Sequence, residues 1–158
     1  MDECYFLSNI PRLPGIYAMR TNSSDVAYVG LSKNLHDRIQ QHLYLRDSSV
    51  TTGVQATLLN PDQISRVDYW HDTIFEDSDT LRAAEVIAFE VFSPSLRSRG
   101  KNSKAATSKL EDEDFVIQVR SILQKAPTGS HIPQNLHNLW QLVERLSTEI
   151  ASLREQLK

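Results

Sequence analysis

The chain has 158 residues, 40% of them hydrophobic, and a net charge of −3. That length allows about one domain with an appendage, and the apolar fraction supports a real core and excludes wholesale disorder. The acidic balance excludes a histone-like sheath of positive charge, no apolar run approaches the roughly 20 residues that cross a bilayer, and the lone Cys4 makes no internal disulfide. With no basic stretch ahead of an apolar one in "MDECYFLSNI", the expectation is a cytoplasmic, reducing location and no membrane partner.

The first informative stretch is "PGIYAMRTNSSDVAYVGLSKNLHDRIQQH", from Pro14 to His42. "GIYAMR" and "DVAYVG" are β-prone and flank the polar "TNSS", which predicts an antiparallel hairpin. With 21–24 as the loop, Arg20 pairs with Asp25 and Tyr17 stands opposite Tyr28, so both phenols share a face. Ser32 is placed to cap a helix running to about Tyr44, with Leu35, Ile39 and Leu43 as its apolar stripe. Arg38 and His42 stack one above the other at the border of that stripe, within reach of the tyrosine face.

"ISRVDYW" (64–70) predicts a third strand. A second helix runs from about Asp79 to Phe92, capped by Ser78 or Asp77, with Leu81, Ala84, Ala88 and Phe92 on its apolar face. Glu85 lies within that face, whereas Glu90 lies opposite. An unpaired buried carboxylate costs several kcal/mol, so Glu85 calls for a cation, a metal ion or a cleft open to water.

Beyond that helix the chain turns basic. "RSRGKNSKAATSK" carries Arg97, Arg99, Lys101, Lys104 and Lys109 without an acid, which makes it either a phosphate-contacting strip or a solvated connection. The clusters "EDSD" (76–79) and "EDED" (111–114) read as helix starts, where the dipole favours carboxylates. The chain thus divides into residues 1–96, a basic strip with a short helix at 97–126, a linker at 127–135 marked by proline and glycine, and a last helix at 136–158. In that helix Leu136, Val143, Ile150 and Leu157 fall at heptad a positions and Leu139, Leu146 and Leu153 at d. β-branched residues at the central a positions favour a parallel pair, with Glu149 at g facing Arg154 at e of a second copy; the other reading is a helix folded back on its own domain.

Two tyrosines, an arginine, a histidine and a buried glutamate are the parts that phosphodiester hydrolysis uses. An arginine fork suits phosphate oxygens, a carboxylate suits Mg²⁺ or Mn²⁺, and a phenol of pKa about 10 becomes a base only where neighbours assist it. Taken singly, each has a plainer explanation: a cross-strand aromatic pair, a rim ion pair, a satisfied histidine. "GIY" at 15–17, "YVG" at 28–30, then "SKNLHDRIQQH" and a later helix glutamate together resemble the GIY-YIG nuclease domain, over roughly residues 12–97.

That resemblance implies a DNA endonuclease using one divalent ion, Mg²⁺ or Mn²⁺. It places Glu85 at the metal, Arg38 at the scissile phosphate and Tyr17 as general base or water positioner, with Tyr28 and His42 supporting the network. Gly15 and Gly30 would shape the backbone, and Lys33, Asn34, Arg97, Arg99, Lys101 and Lys104 would contact DNA. Many members carry a lysine where Leu31 stands and an asparagine where Arg97 stands. The expectation is an α/β (α+β) domain with a sheet of about three strands and flanking helices, dimerising through 136–158. The rival readings are a non-catalytic nucleic-acid-binding or regulatory module on the same fold, and a structure-specific or RNA-directed nuclease.

Overall fold

The computed structural model describes residues 9–21, 25–45, 59–97 and 102–158. Ile16 and Ala18 alternate with Tyr17 and Met19, so both faces of this segment are apolar, and such a strand belongs inside a sheet that is covered on both sides. Accordingly β1 (Gly15–Arg20) lies between β2 (Val26–Ser32) and β3 (Arg66–Trp70), antiparallel to each. Two short strands extend the expected three: β4 (Leu96–Arg97), parallel to β2, and β5 (Gly129–His131), antiparallel to β3. Among the described residues the sheet has five strands in the order β4-β2-β1-β3-β5. The stretch expected to be a linker therefore supplies an edge strand. Gly129 suits it there, because a Cβ at that position would collide with the Tyr69 ring.

The hairpin register differs from the one expected. Tyr17 pairs with Gly30 and Tyr28 with Met19, after a bulge that leaves Arg20 opposite Val26. Thr21 N–H donates to the Asp25 carbonyl at 3.1 Å, so the closing pair sits one residue farther along than expected; the rest of "TNSS" lies outside the described residues. The later closing pair and the bulge each add one residue to the register. A shift of two leaves every side chain on its expected face.

Among the described residues five α-helices accompany the sheet: α1 (Leu35–Gln40), α2 (Ser78–Phe92), α3 (Lys104–Leu110), α4 (Glu113–Gln124) and α5 (Leu136–Gln156). Asn34, not Ser32, caps α1: its side chain accepts from Asp37 N–H, while Ser32 ends β2 and its hydroxyl donates to the Asn34 carbonyl. After Gln40 the helix does not continue as α to Tyr44 but widens into a π turn, Gln41–Leu45, and the neighbours His42 and Leu43 are both buried. Asp77 and Asp112 cap α2 and α4, as the acidic clusters led one to expect. Hydrogen bonds from Thr80 hold the Asp77 carboxyl below its usual pKa.

The sheet separates two cores. On one face Tyr17, Met19, Tyr28, Val67 and Tyr69 pack with Leu35, Ile39 and Leu43. On the other, Ile16, Ala18, Val29 and Trp70 meet Leu81, Ala84 and Ala88 of α2 and Val119 and Leu123 of α4. Asp68, buried among this second set of strands, accepts from Arg20 Nε at 2.7 Å and Ser130 Oγ at 2.5 Å and pairs with Arg66 at 2.9 Å, joining β1, β3 and β5. Burial alone would raise its pKa, but these donors and the nearby charges lower it on balance.

Helix α5 leaves the body at a fixed point. Asn135 Nδ2 donates to the carbonyls of Pro61 and Ile64, and Asn138 Nδ2 to those of Ile64 and Pro133. Past that clamp its apolar residues face water: Leu139, Trp140, Val143, Leu146, Ile150 and Leu153 are all exposed. The helix does not fold back on its own domain. No helix of the described residues is long and apolar enough to cross a membrane.

Gly30 is the hairpin position that makes room for the Tyr17 phenol. A Cβ there would lie 2.5 Å from Tyr17 Oη and 2.7 Å from its Cζ, and the Tyr17 ring is fully buried and cannot swing clear. Gly30→Ala is expected to cost about 1–3 kcal/mol in urea unfolding, the range for overpacked cores.

Candidate active site

Tyr17 and Tyr28 project from adjacent strands onto the same face, with ring centroids 6.0 Å apart. The diagonal offset created by the bulge brings the rings together without stacking them, and the notch at Gly30 receives the Tyr17 phenol. The π turn supplies His42 from below. Its Nε2 shares a 2.7 Å hydrogen bond with Tyr17 Oη, and its ring lies edge-on to Tyr28 at 5.3 Å.

Burial and charge set the protonation states. Burial, reinforced by the neighbouring Tyr28, raises the Tyr17 pKa well above 10, and burial likewise raises that of Tyr28. His42 is lowered to about 3, first by burial and then by the charge of Arg38. The imidazole is therefore neutral at neutral pH and offers either a donor or an acceptor to the phenol.

Arg38, on the last turn of α1, is half-buried and close enough to act on both tyrosines by hydrogen bonding and by charge. Burial disfavours its charge, but the phenols beside it outweigh that and raise its pKa. Its Nη1 also donates to Gln41 Oε1 at 3.1 Å. Gln41 is a site neighbour missed in sequence; its signal was the three-residue spacing on one helix. Glu85, on α2, is only 5% exposed, and its negative charge falls on Tyr28, where it raises the phenol's pKa. Tyr17, Tyr28, Arg38, His42 and Glu85 thus form one electrostatically connected group.

The outlying residues divide. Lys33 and Lys104 are exposed, and Arg97 lies on β4 beside Val29. Arg99 and Lys101 lie outside the described residues. Asn34 commits its side chain to the start of α1, with its amide donating to Asp37 Oδ2 at 2.9 Å. Leu31 packs with the α2-side core, on the face away from the tyrosines. Gly15 permits close approach, since a Cβ there would strike the Trp70 carbonyl of β3.

Comparison with known proteins agrees with this geometry. A family model described as "GIY-YIG catalytic domain" matches residues 13–92, about half of the chain. The chain is 24% identical over 128 residues to a UvrABC system protein C of Protochlamydia amoebophila, covering 80% of this chain and 19% of that one. It is 44% identical over 63 residues to the UvrABC system protein C of Methanococcoides burtonii, covering 40% of this chain and 10% of that one. A Clostridium botulinum protein of the same name is 30% identical over 66 residues, covering 42% and 10%. The chain spans about a fifth or less of the length of these relatives.

The buried imidazole makes a pH prediction. Folded His42 takes a proton only near pH 3, whereas in the unfolded chain it does so near 6.5. Between those values the unfolded state binds more protons, so stability falls as pH drops from about 6.5. By pH 5 the loss from His42 is about 2 kcal/mol, with buried His131 adding in the same direction. Urea unfolding at pH 7 and pH 5 should show it, and His42→Gln should make the dependence shallower.

Proposed function

The chain belongs to the GIY-YIG catalytic domain family, and from that premise we propose that it is a metal-dependent endonuclease hydrolysing DNA phosphodiester bonds, with one catalytic site per chain. The observation that carries the reading is a half-buried Arg38 beside both buried phenols, with the opposite charge of buried Glu85 falling on one of them, Tyr28. A half-buried arginine and a buried carboxylate that share Tyr28 as a neighbour suit an anionic substrate that needs a cation to bind.

Glu85 would hold Mg²⁺ or Mn²⁺. Mg²⁺ keeps several waters and takes few carboxylates, so one buried carboxylate fits it. Among the described residues no cluster of three or more His, Cys, Asp or Glu offers a richer set of donors. When bound, the ion supplies charge stabilisation to the phosphate oxygens. Arg38, oriented by Gln41, would bind the scissile phosphate and stabilise the charge that builds as phosphorus becomes pentacovalent.

Tyr17 is too deeply buried to persist as a phenolate. It would serve as a relay, taking a proton from the attacking water while its own passes to His42 Nε2. Arg38's charge is part of what makes His42 a weak base. A phosphate paired with Arg38 offsets that charge, so substrate binding strengthens His42 as the acceptor. Tyr28 would position the water between Tyr17 and the Glu85 side. Lys33, Arg97 and Lys104, with Arg99 and Lys101, would contact the DNA backbone away from the reacting bond.

We assign α5 a second copy as its partner, making a homodimer with two such sites. The exposed seam of Leu139, Val143, Leu146, Ile150 and Leu153 supports this.

Two outcomes are expected. With Mg²⁺ or Mn²⁺ the protein nicks plasmid DNA; Glu85→Gln abolishes cutting and leaves binding, and Arg38→Ala lowers single-turnover rate by about 100-fold or more with a much smaller loss of affinity. Full cutting in excess chelator would overturn the metal reading, and binding without cutting under any metal would favour the non-catalytic module. In sedimentation the full chain is expected to be a dimer and a version ending at Asn135 a monomer that still nicks single strands.

A further inference from the structure

We propose that the groove at the base of α5 is a receptor for Trp140 of a second copy of this chain. The proposal rests on the homodimer reading and is independent of the nuclease chemistry. The groove, of about 980 Å³, lies between α5 and the segment before β3, and is lined by Ile132, Asn135, Leu136, Leu139 and Leu142 with Asp62 on the opposite wall. Its apolar lining is open to water: Ile132, Leu136, Leu139 and Leu142 are all exposed. Its shape is fixed, because the Asn135 and Asn138 amides tie the helix to the carbonyls of Pro61 and Ile64 on the facing wall.

Heptad geometry names the occupant. With the a and d positions already assigned, Asn135, Leu142 and Glu149 fall at g and Trp140, Ser147 and Arg154 at e. In a parallel pair each g residue is flanked by the e residue five later on the other helix. Glu149 is then flanked by Arg154, an attractive pair that favours this alignment, and Asn135 by Trp140. Asn135 and Leu142 belong to the groove wall, so the indole arrives at the groove's mouth. Trp140 is 62% exposed on its own chain, a large amphipathic ring left in water. Apolar Ile132, Leu136 and Leu139 suit its faces, and Asp62 and Ser65 offer acceptors for its N–H. By symmetry the exchange occurs twice per dimer, which lengthens a helix pair of only three heptads into contact with the folded body.

Ile132 provides the discriminating test, because it lies outside the helix seam and is already solvent-exposed, so a charge there spares the fold. Dimer affinity is measured by sedimentation equilibrium and Trp140 accessibility by acrylamide quenching across the same concentrations, with buried Trp70 as the constant background. As dimer forms, emission is expected to shift to the blue and quenching to fall. Trp140→Ala and Ile132→Asp should each weaken the dimer about tenfold or more, Trp140→Phe should retain most of the affinity, and single-strand nicking should be unchanged in all three. A dimer whose Trp140 stays quenchable and ignores Ile132→Asp would overturn the groove exchange while leaving the helix pair standing. A chain that stays monomeric at high micromolar concentration would overturn the homodimer and this inference together, with the nuclease reading still judged by plasmid nicking.

Discussion

A phenol and an imidazole buried in one core must be hydrogen-bonded, because an unsatisfied polar group there costs several kcal/mol. The Tyr17–His42 hydrogen bond is that constraint here, and much of the local structure follows from it. β1 must aim Tyr17 toward α1, so β1 is central and apolar on both faces. β2 must have no side chain at the position opposite, so Gly30 stands there. The helix must bring His42 inward beside Leu43, which the π turn accomplishes. Arg38, one turn earlier, then reaches both phenols from the half-buried rim.

The division of labour between the two sheet faces follows from the same arrangement. The α1 face holds the polar group with perturbed protonation, whereas the α2–α4 face is mainly apolar, with the Asp68 cluster and Glu85 as its buried charged groups. Asp68 is fully engaged by Arg20, Arg66 and Ser130 and joins three strands, so it reads as a fastening and not as chemistry. Glu85 is the exception on α2. It sits among Leu81, Ala84 and Ala88 on a helix otherwise given to packing, and its field is directed at Tyr28. A buried carboxylate in that position is consistent with the metal-holding role proposed for it.

Much of this was legible in the sequence because it depends on period and on residue type. The hairpin, β3, α2 with Asp77 as its cap, the inward Glu85 and the heptad helix all come from local alternation or helical spacing. What was not legible depends on single-residue irregularities that periodicity does not record. The bulge between Met19 and Arg20 moved the register by one, and the later closing pair at Thr21 and Asp25 by another. The two cancelled in parity, so the shared face of the tyrosines survived a wrong register. Asn34 competed with Ser32 as cap, and only the extent of β2 decides between them. β4 and β5 are too short to show alternation, and the Pro and Gly that marked 127–135 as a linker serve an edge strand instead. The contact of Arg38 with Gln41 was readable from spacing but not from type.

The clamp at the root of α5 recognises only backbone. Asn135 and Asn138 donate to the carbonyls of Pro61, Ile64 and Pro133, atoms that every amino acid possesses. The two halves of this joint ask different things of their side chains. The asparagines act through their side-chain amides, whereas the facing segment is held by its own packing, with Ile64 buried and Ser65 Oγ donating to the carbonyls of Arg20 and Thr21. A joint of that kind is portable: the same helix could be grafted onto any domain whose chain takes the path of that segment.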